Sequence, residues 1–242
     1  MNWDDGDGRF FNPAPAISTV DRPGGSQVVV IDGVLLDPDG LVDWARQQAF
    51  HPTAGFPYPG RITPGPAGLS ARFADFFAQH ARSRLQARRT LAHDIRLSMV
   101  TTPPAQLDPR QWQCHRDRLE SDPGGIYVAS VLYLFREPAL GGTSFYVPRQ
   151  SPAATDRIII DSQTLAAESF AARYGLKSGY MDGSNPYFDC VARVPPAWNR
   201  MILYDACYFH SGDIVRPELL TDDPGTGRLT LNGFFNCRRQ AR

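Results

Sequence analysis

The feature that most constrains the fold is a series of short strand-like segments in the second half of the chain. From residue 95 onward, β-branched and aromatic residues concentrate in segments separated by polar connections. Many short strands joined by long polar connections are typical of a Greek-key sandwich or jelly roll. We therefore predict a mainly β fold with flanking α-helices. The predicted strands cover residues 95–101, 111–117, 127–135, 143–147, 187–194, 200–205 and 228–236.

The first 94 residues supply most of the flanking elements. Residues 1–26 are rich in Gly, Pro and Asp, which predicts an irregular arm that Phe10 and Phe11 could anchor. Helical spacing of apolar residues marks the helices, and proline and glycine mark the connections between them. The remaining predicted pieces are a strand at 27–31, a helix from Asp37 and Pro38 to about residue 50, a loop at 51–66, a helix from 69 to about 84, and a later helix from about 162 to 174 closed by Gly175.

Length and charge set the broad class. A chain of 242 residues with 42% hydrophobic residues can form one sizeable core, so we predict a single domain over residues 1–242. Its strand and supporting helices would occupy 27–94, and its β core 95–237. Twenty-five basic and twenty-five acidic residues give a net charge of zero, which argues against nucleic acid or an anionic membrane as partner. A small-molecule substrate is therefore expected.

Cysteine usage and the N-terminus indicate the compartment. The four cysteines lie far apart without a Cys-x-x-Cys pair, which predicts reduced thiols in a cytoplasmic protein. Cys114 is expected to be a buried structural thiol rather than a ligand. The acidic N-terminus lacks the features of a signal peptide, and no apolar stretch approaches the roughly 20 residues of a membrane span. The oligomeric state, including a homodimer, stays open at this point.

One segment combines metal-ligand chemistry with a strand. His115 and Asp117 are two residues apart, so both side chains can point to the same face of an extended chain. Two histidines and one carboxylate on one side of a metal are typical of non-haem iron oxygenases. The third ligand must therefore be a histidine that is distant in sequence, and His210, just beyond a predicted strand, is the candidate. His51, His80 and His93 are assigned to packing, capping or surface roles.

The last predicted strand has one polar and one apolar face. Arg228, Thr230 and Asn232 share the first face, whereas Leu229, Leu231 and Phe235 share the second. A polar row inside a β-sandwich is costly unless something binds to it, so the pattern favours a ligand cavity. A guanidinium fork matches a carboxylate in geometry, which makes Arg228 a candidate anchor for an organic acid. Asn232-Gly233 could instead form a hairpin turn, but few residues follow it to form a returning strand.

Taken together, these segments show a family resemblance. His115-Arg116-Asp117, the strand ending Leu132-Tyr133-Leu134, Gly141-Gly142-Thr143, the segment 199–204 before His210, and Gly227-Arg228-Leu229-Thr230 occur in this order. The arrangement resembles the Fe(II)- and 2-oxoglutarate-dependent dioxygenases of the prolyl-hydroxylase-like type. The resemblance covers roughly residues 95–237. It does not extend to the long connection before residue 199 or to the one between His210 and Arg228.

The resemblance implies a fold and a set of site residues. The fold would be a double-stranded β-helix, a jelly-roll and cupin-like core. Fe(II) would be held by His115, Asp117 and His210, and Arg228 would bind the cosubstrate 2-oxoglutarate. Tyr133 matches a position that in relatives donates a hydroxyl to the cosubstrate carboxylate, and Thr230 is a weaker candidate for the same role.

The resemblance also implies a reaction. Iron, O2 and 2-oxoglutarate, with ascorbate as a supporting reductant, would oxidise an unactivated carbon and release succinate and CO2. Because Asp117 is present, hydroxylation or desaturation is expected rather than halogenation. A small molecule such as an amino acid or secondary metabolite is the expected substrate. The alternatives are a peptide or protein side chain, a non-catalytic metal- or acid-binding β-helix protein, and manganese or zinc in place of iron.

The sequence gives only hints about the substrate. The connections 147–196 and 211–227 are expected to determine which substrate binds. Arginines and aromatic residues could surround the mouth of the site, where an arginine would suit a carboxylate. These candidates are Arg116, Arg118, Arg149, Arg216, Tyr58, Trp112 and Tyr127.

Overall fold

The computed structural model describes residues 2–53, 58–118 and 124–240. Within these ranges the chain forms two antiparallel sheets and four α-helices. The helices are α1 (Pro38–Ala45), α2 (Ala67–His80), α3 (Pro152–Thr164) and α4 (Ala167–Tyr174). The strands are β1 (Ala16–Arg22), β2 (Ser26–Asp32), β3 (His51–Pro52), β4 (Gly60–Pro64), β5 (Ala87–Val100), β6 (Gly125–Tyr133), β7 (Thr143–Pro148), β8 (Phe188–Val194), β9 (Arg200–Asp205), β10 (Phe209–Gly212) and β11 (Arg228–Arg239).

The two sheets form a double-stranded β-helix. The major sheet has the strand order β1-β2-β9-β6-β11-β5-β4-β3, and the minor sheet has the order β10-β7-β8. An antiparallel bridge between His115 and His210 adds the segment around His115 to the edge of the minor sheet. From β5 to β11 the chain then passes repeatedly between the sheets, which is the winding of a jelly roll. The predicted mainly β fold with flanking helices is confirmed.

Strand β11 is the central strand of the major sheet. It runs unbroken for 12 residues and pairs with both β5 and β6, which excludes a hairpin at Asn232-Gly233. Its apolar face packs against α2, where the ring centroids of Phe235 and Phe77 are 4.0 Å apart. Gly233 permits this close packing, since a Cβ there would lie 2.3 Å from Phe73. The polar face of β11 is turned toward the space between the two sheets.

Helix α1 ends earlier than predicted, and the predicted helix at 162–174 is replaced by two helices. Asp37 caps α1 as predicted by accepting a hydrogen bond from the Gly40 amide, but the helix ends at Ala45 rather than near residue 50. The single helix predicted at 162–174 is wrong. Two helices, α3 and α4, replace it because Ser151 and Pro152 start a helix earlier and the chain is extended at Leu165. Gly175 ends α4 in the left-handed conformation, as predicted.

The predicted strands and irregular segments differ from the structure in four places. Residues 1–26 are not wholly irregular, because β1 pairs along its length with β2. Residues 111–117 do not form a strand, since a capped 3-10 turn over Pro109–Gln111 precedes a single bridge at His115. Strand β10 was not predicted, and it carries His210 itself. Of the predicted loop 51–66, residues 54–57 lie outside the described residues, and β3 and β4 occupy part of the remainder.

Two broader predictions concern the whole chain. The assignment of residues 1–242 to one domain stays a prediction. In the described part of the chain, no helix combines the length and the apolar character needed to cross a bilayer.

Candidate metal centre

His115, Asp117 and His210 meet at the open edge of the minor sheet. His115 and His210 exchange both backbone hydrogen bonds, each 2.9 Å long, which places the two side chains side by side. The Asp117 amide donates to the Ala206 carbonyl at 3.1 Å and turns the chain back toward β10. Asp117 Oδ1 lies 3.6 Å from His115 Nε2, and Asp117 Oδ2 lies 3.5 Å from His210 Nε2. The three ligand atoms all fall within 4.8 Å of one another.

His210 is held in the form that binds a metal. Its Nδ1 lies 2.9 Å from the Tyr208 carbonyl oxygen, which can only accept, so Nδ1 carries the proton and Nε2 keeps its lone pair. Burial lowers the pKa of His210 to about 4, although Asp117 opposes the shift. The imidazole is therefore neutral near pH 7, as metal ligation requires.

Asp117 is held in its ionised form. Burial alone would raise its pKa, but the neighbouring His210 and His115, with Arg96, outweigh burial and lower it. Two imidazole nitrogens and one carboxylate thus face one point. This donor set fits a divalent first-row ion such as Fe(II), and it leaves further coordination positions for other molecules.

A cavity of about 140 Å³ lies beside the three residues, between the two sheets. The polar face of β11 forms one wall, and Arg96 lies opposite Asn232 on the paired strand β5. The structure thus brings four predicted groups, the three candidate ligands and Arg228, to one cavity. The lining residues that concern the site are His115, Asp117, His210, Arg228, Thr230, Asn232, Tyr58, Arg96, Arg110, Thr143 and Tyr204.

Arg228 is buried and its orientation is fixed. Its Nε donates to the carbonyl oxygens of Leu140 and Gly141, at 2.9 and 3.2 Å, and Nη2 donates to that of Gly142 at 2.9 Å. No acceptor within the described ranges bonds Nη1. One edge of the guanidinium is thus anchored on a turn, and a donor remains for an anion in the cavity.

The turn that anchors Arg228 requires glycine. Gly141 has φ +82° and ψ 146°, a conformation that is essentially restricted to glycine. A Cβ at Gly141 would also lie 1.9 Å from the Asp213 carbonyl oxygen. Gly141 and Gly142 thus form the turn that follows the 3-10 turn Pro138–Leu140. The structure adds that the carbonyl groups of this turn hold the arginine.

We expect Gly141→Ala to destabilise the protein by at least about 2 kcal/mol, because backbone strain and a backbone clash coincide at this residue. The measurement is urea unfolding of the variant and the wild type. Gly179→Ala is the matched control, since no atom lies within 4 Å of a Cβ at that glycine. Equal midpoints for the two variants would show that the turn is not constrained.

Tyr133 and Thr230 differ in their position relative to the cavity: Thr230 lines it and Tyr133 does not. Tyr133 is fully buried and does not line the cavity, and its hydroxyl lies 2.9 Å from Thr143 Oγ1. Tyr133 therefore contacts Thr143, which does line the cavity, and its direct role toward the cosubstrate stays a prediction. Thr230 lines the cavity and donates to the Ser98 carbonyl at 3.3 Å.

Tyr58 lies deeper in the cavity than the sequence predicts. It was predicted near the mouth, yet its hydroxyl is buried beside Ser98 and Thr230, without a hydrogen bond of normal length and angle to any described residue. Burial raises the pKa of Tyr58 to about 12, against the nearby charges of Arg228 and Arg96. Asn232 Oδ1, in the same cavity, is also buried without a partner in the described part of the chain. Buried polar atoms normally have a hydrogen-bond partner, so a ligand or a water molecule in the cavity would satisfy both.

The other predicted mouth residues do not line this cavity. Arg96 and Arg110 line it instead. Arg149 pairs with Asp189, Arg216 with Glu218, and Trp112 packs against Phe170. Arg118 lies over the Tyr127 ring and Arg116 over that of Phe209.

The remaining predicted side chains lie away from the centre. His80 is buried against Phe76, the His93 ring bonds the Ser70 carbonyl, and His51 is exposed in β3. Cys114 is a buried free thiol, as predicted.

The chain is similar in fold to several solved structures at low sequence identity. HygX from Streptomyces hygroscopicus, solved with nickel and 2-oxoglutarate bound, is 15% identical over 88% of this chain and 83% of that chain, with a TM-score of 0.47. A prolyl-4-hydroxylase from Pseudomonas putida is 15% identical over 85% and 89%, with a TM-score of 0.40. EvdO2 from Micromonospora carbonacea var. aurantiaca is 15% identical over 93% and 94%, with a TM-score of 0.46.

Comparison of sequences gives the family. No curated protein matches the chain. The sequence profile of the family of unknown function DUF6445 matches residues 13–235, which is most of the chain. The chain therefore belongs to the DUF6445 family.

Proposed function

We propose that this protein is an Fe(II)- and 2-oxoglutarate-dependent oxygenase that hydroxylates a small organic molecule. One observation carries the proposal: the converging ligand atoms of His115, Asp117 and His210 border the same cavity as the anchored guanidinium of Arg228. The three side chains can bind a metal. The guanidinium of Arg228 can bind the distal carboxylate of 2-oxoglutarate.

The size and charge of the cavity support this cosubstrate. A volume of about 140 Å³ suits a small acid, whereas pockets for drug-sized ligands measure roughly 300–1,000 Å³. The bulk of any larger substrate would then lie outside, toward the half-exposed His115. Among the described residues that line the cavity, Asp117 is the only acidic one, opposed by Arg228, Arg96 and Arg110. Such a lining favours an anionic occupant.

The protein's own residues would hold and orient the reactants. His115, Asp117 and His210 would hold Fe(II), and Arg228 with the Tyr58 hydroxyl would hold the distal carboxylate of 2-oxoglutarate. When bound, Fe(II), 2-oxoglutarate and O2 supply an oxidation of an unactivated carbon that is coupled to release of succinate and CO2. The closely packed Tyr204 and Phe145 flank His210 and keep water from that side of the centre.

The nature of the reaction and its setting follow from individual residues. Because Asp117 occupies the carboxylate position, hydroxylation or desaturation is favoured over halogenation. Arg96, stacked 4.7 Å from the Phe234 ring centroid at the cavity wall, suits an acidic group on a substrate such as an amino acid or secondary metabolite. The four free thiols support a reducing, cytoplasmic setting.

The direct test is conversion of 2-oxoglutarate to succinate by the purified protein with Fe(II), ascorbate and a panel of amino acids, other small acids and short peptides. We expect succinate release that depends on iron and increases with the true substrate. Zinc or manganese in place of iron should not support it. If no succinate forms while metal and 2-oxoglutarate both bind, the protein is a non-catalytic binder. Stimulation by peptides alone would identify a peptide hydroxylase.

We expect Tyr58→Phe to weaken binding of 2-oxoglutarate by about tenfold, the effect of one hydrogen bond to a charged group. The metal content should not change, because Tyr58 is not among the candidate ligands. The measurement is calorimetric titration of 2-oxoglutarate into the metal-loaded protein.

Tyr133→Phe is the matched control for this variant. Since the Tyr133 hydroxyl is bonded to Thr143 and lies outside the cavity, its loss should change 2-oxoglutarate affinity less than the loss of the Tyr58 hydroxyl. The reverse order would return Tyr133 to the direct role that the sequence predicts for it.

A further inference from the structure

A second cavity lies beneath α3, and we call it the outer cleft. It measures about 640 Å³, within the range of roughly 300–1,000 Å³ that is typical of small-molecule sites. The residues that matter for its chemistry are Arg116, Thr155, Asp156, Ile159, Ile160 and Phe209.

The outer cleft and the metal centre lie on opposite faces of the minor sheet. Phe209 and His210 are consecutive in β10, so their side chains point to opposite faces. His210 lies against Tyr204 and Phe145 between the sheets, whereas Phe209 packs with Phe188 in a separate cluster. Arg116, between His115 and Asp117, shares the side of Phe209. The cleft is therefore a separate site from the proposed catalytic cavity.

Arg116 presents an oriented cation to the cleft. Its guanidinium carbon lies 4.5 Å from the centroid of the Phe209 ring, a cation–π contact that holds the side chain at the wall of the cleft. Its Nη2 is 3.8 Å from Asp156 Oδ1, which is too long for a hydrogen bond. The buried Nε has no hydrogen-bond partner among the described residues. An arginine fork in this state is suited to a carboxylate.

The wall formed by α3 adds a polar atom and an apolar surface. Thr155 is only 5% exposed, and its Oγ1 has no hydrogen-bond partner within the described ranges. Ile159 and Ile160 line the same cleft, and Ile160 is 53% exposed. A fork and a hydroxyl thus stand beside an apolar surface. This combination matches a molecule that has one acidic group and a hydrocarbon body.

We propose that the outer cleft binds an organic carboxylate with an apolar body. The carboxylate accepts hydrogen bonds from Arg116 and Thr155, and the body covers Ile159 and Ile160. Because Arg116 is flanked by two of the proposed metal ligands, an occupant would bind to the chain segment that carries them. The proposal does not depend on the proposed oxygenase activity.

The probe is 4-phenylbutanoate, with the uncharged 4-phenylbutanamide for comparison, titrated calorimetrically into the full-length protein. We expect the carboxylate to bind at least about tenfold more tightly than the amide, as for a hydrogen-bonded charge. Arg116→Met should remove this preference. Asp156→Asn should strengthen binding by about fivefold, because it removes a like charge about 4 Å from the site. A gain in affinity cannot result from misfolding.

Two surface variants separate the cleft from other apolar surface. Ile160→Glu should weaken binding of 4-phenylbutanoate at least about tenfold, because it places a like charge beside the ligand and removes apolar contact. Leu36→Glu, at a residue that is also 53% exposed, should leave the affinity unchanged. Equal affinity for acid and amide would overturn the proposal. The proposal would also be overturned if Arg228→Lys lowered the affinity for 4-phenylbutanoate and Arg116→Met did not. The probe would then bind in the cavity beside the metal centre.

Discussion

His210→Ala is expected to leave the protein unable to retain Fe(II) and to abolish succinate formation. The side chain is buried, and burial keeps its imidazole neutral with Nε2 directed toward Asp117. Loss of a hydrogen-bond partner of a metal ligand typically costs roughly 10–100-fold in affinity, and loss of the ligand itself should cost more. The measurement is iron content after gel filtration of the reconstituted protein. His115→Ala should behave in the same way.

Two further variants make this result interpretable. Asp117→Asn keeps the volume of the side chain but removes the ionised carboxylate, so it should lose iron without a cavity being created. His51→Ala, at an exposed histidine in β3, should retain iron fully. Thermal unfolding of the metal-free proteins checks that the variants are folded. Full iron content in either triad histidine variant would rule out the metal assignment.

Arg228→Lys is expected to weaken binding of 2-oxoglutarate by roughly 10- to 100-fold, because hydrogen bonds to charged groups contribute about 1.5–3 kcal/mol. Lysine keeps the charge but cannot both bond the Leu140 to Gly142 turn and present a donor to the ligand. The metal should remain bound. Turnover at saturating 2-oxoglutarate should change less than the concentration needed to reach it.

The specificity of this effect can be tested with a truncated cosubstrate. The compound 2-oxopentanoate keeps the metal-binding end of 2-oxoglutarate but has a methyl group in place of the distal carboxylate. Its affinity should be similar in wild type and Arg228→Lys, whereas that of 2-oxoglutarate should differ. Arg136→Ala, which removes an exposed arginine paired with Asp39, is the control for loss of a positive charge. A parallel loss for both acids would indicate a purely structural role for Arg228.

The sequence predicted the parts of the site that depend on strand alternation. Alternation along β11 put Arg228, Thr230 and Asn232 on the cavity side. The two-residue spacing of His115 and Asp117 put both in the site, although residues 111–117 form a single bridge rather than the predicted strand. These positions follow from local geometry alone. His210 could be predicted because iron sites of this type combine two histidines with one carboxylate, and His115 and Asp117 supply only one of each. The strand β10 that carries it is only four residues long and gave no signal of its own.

The parts that were missed depend on contacts between elements distant in sequence. The Tyr133 hydroxyl bonds Thr143 because β6 and β7 face each other across the two sheets, and no local pattern records that pairing. Tyr58 enters the cavity from the connection before β4, where frequent proline and glycine leave no hydrophobic periodicity to interpret. The early start of α3 was missed because much of its buried face is polar, including Thr155, Asp161 and Ser162.

The most direct test is titration of 2-oxoglutarate into the protein with and without a bound divalent metal, under anaerobic conditions. If His115, Asp117 and His210 hold a metal beside the pocket of Arg228, one 2-oxoglutarate should bind per chain, and its affinity should fall sharply when the metal is removed or when His210 is replaced by alanine. Equal affinity in the presence and absence of metal would contradict a shared metal and cosubstrate site.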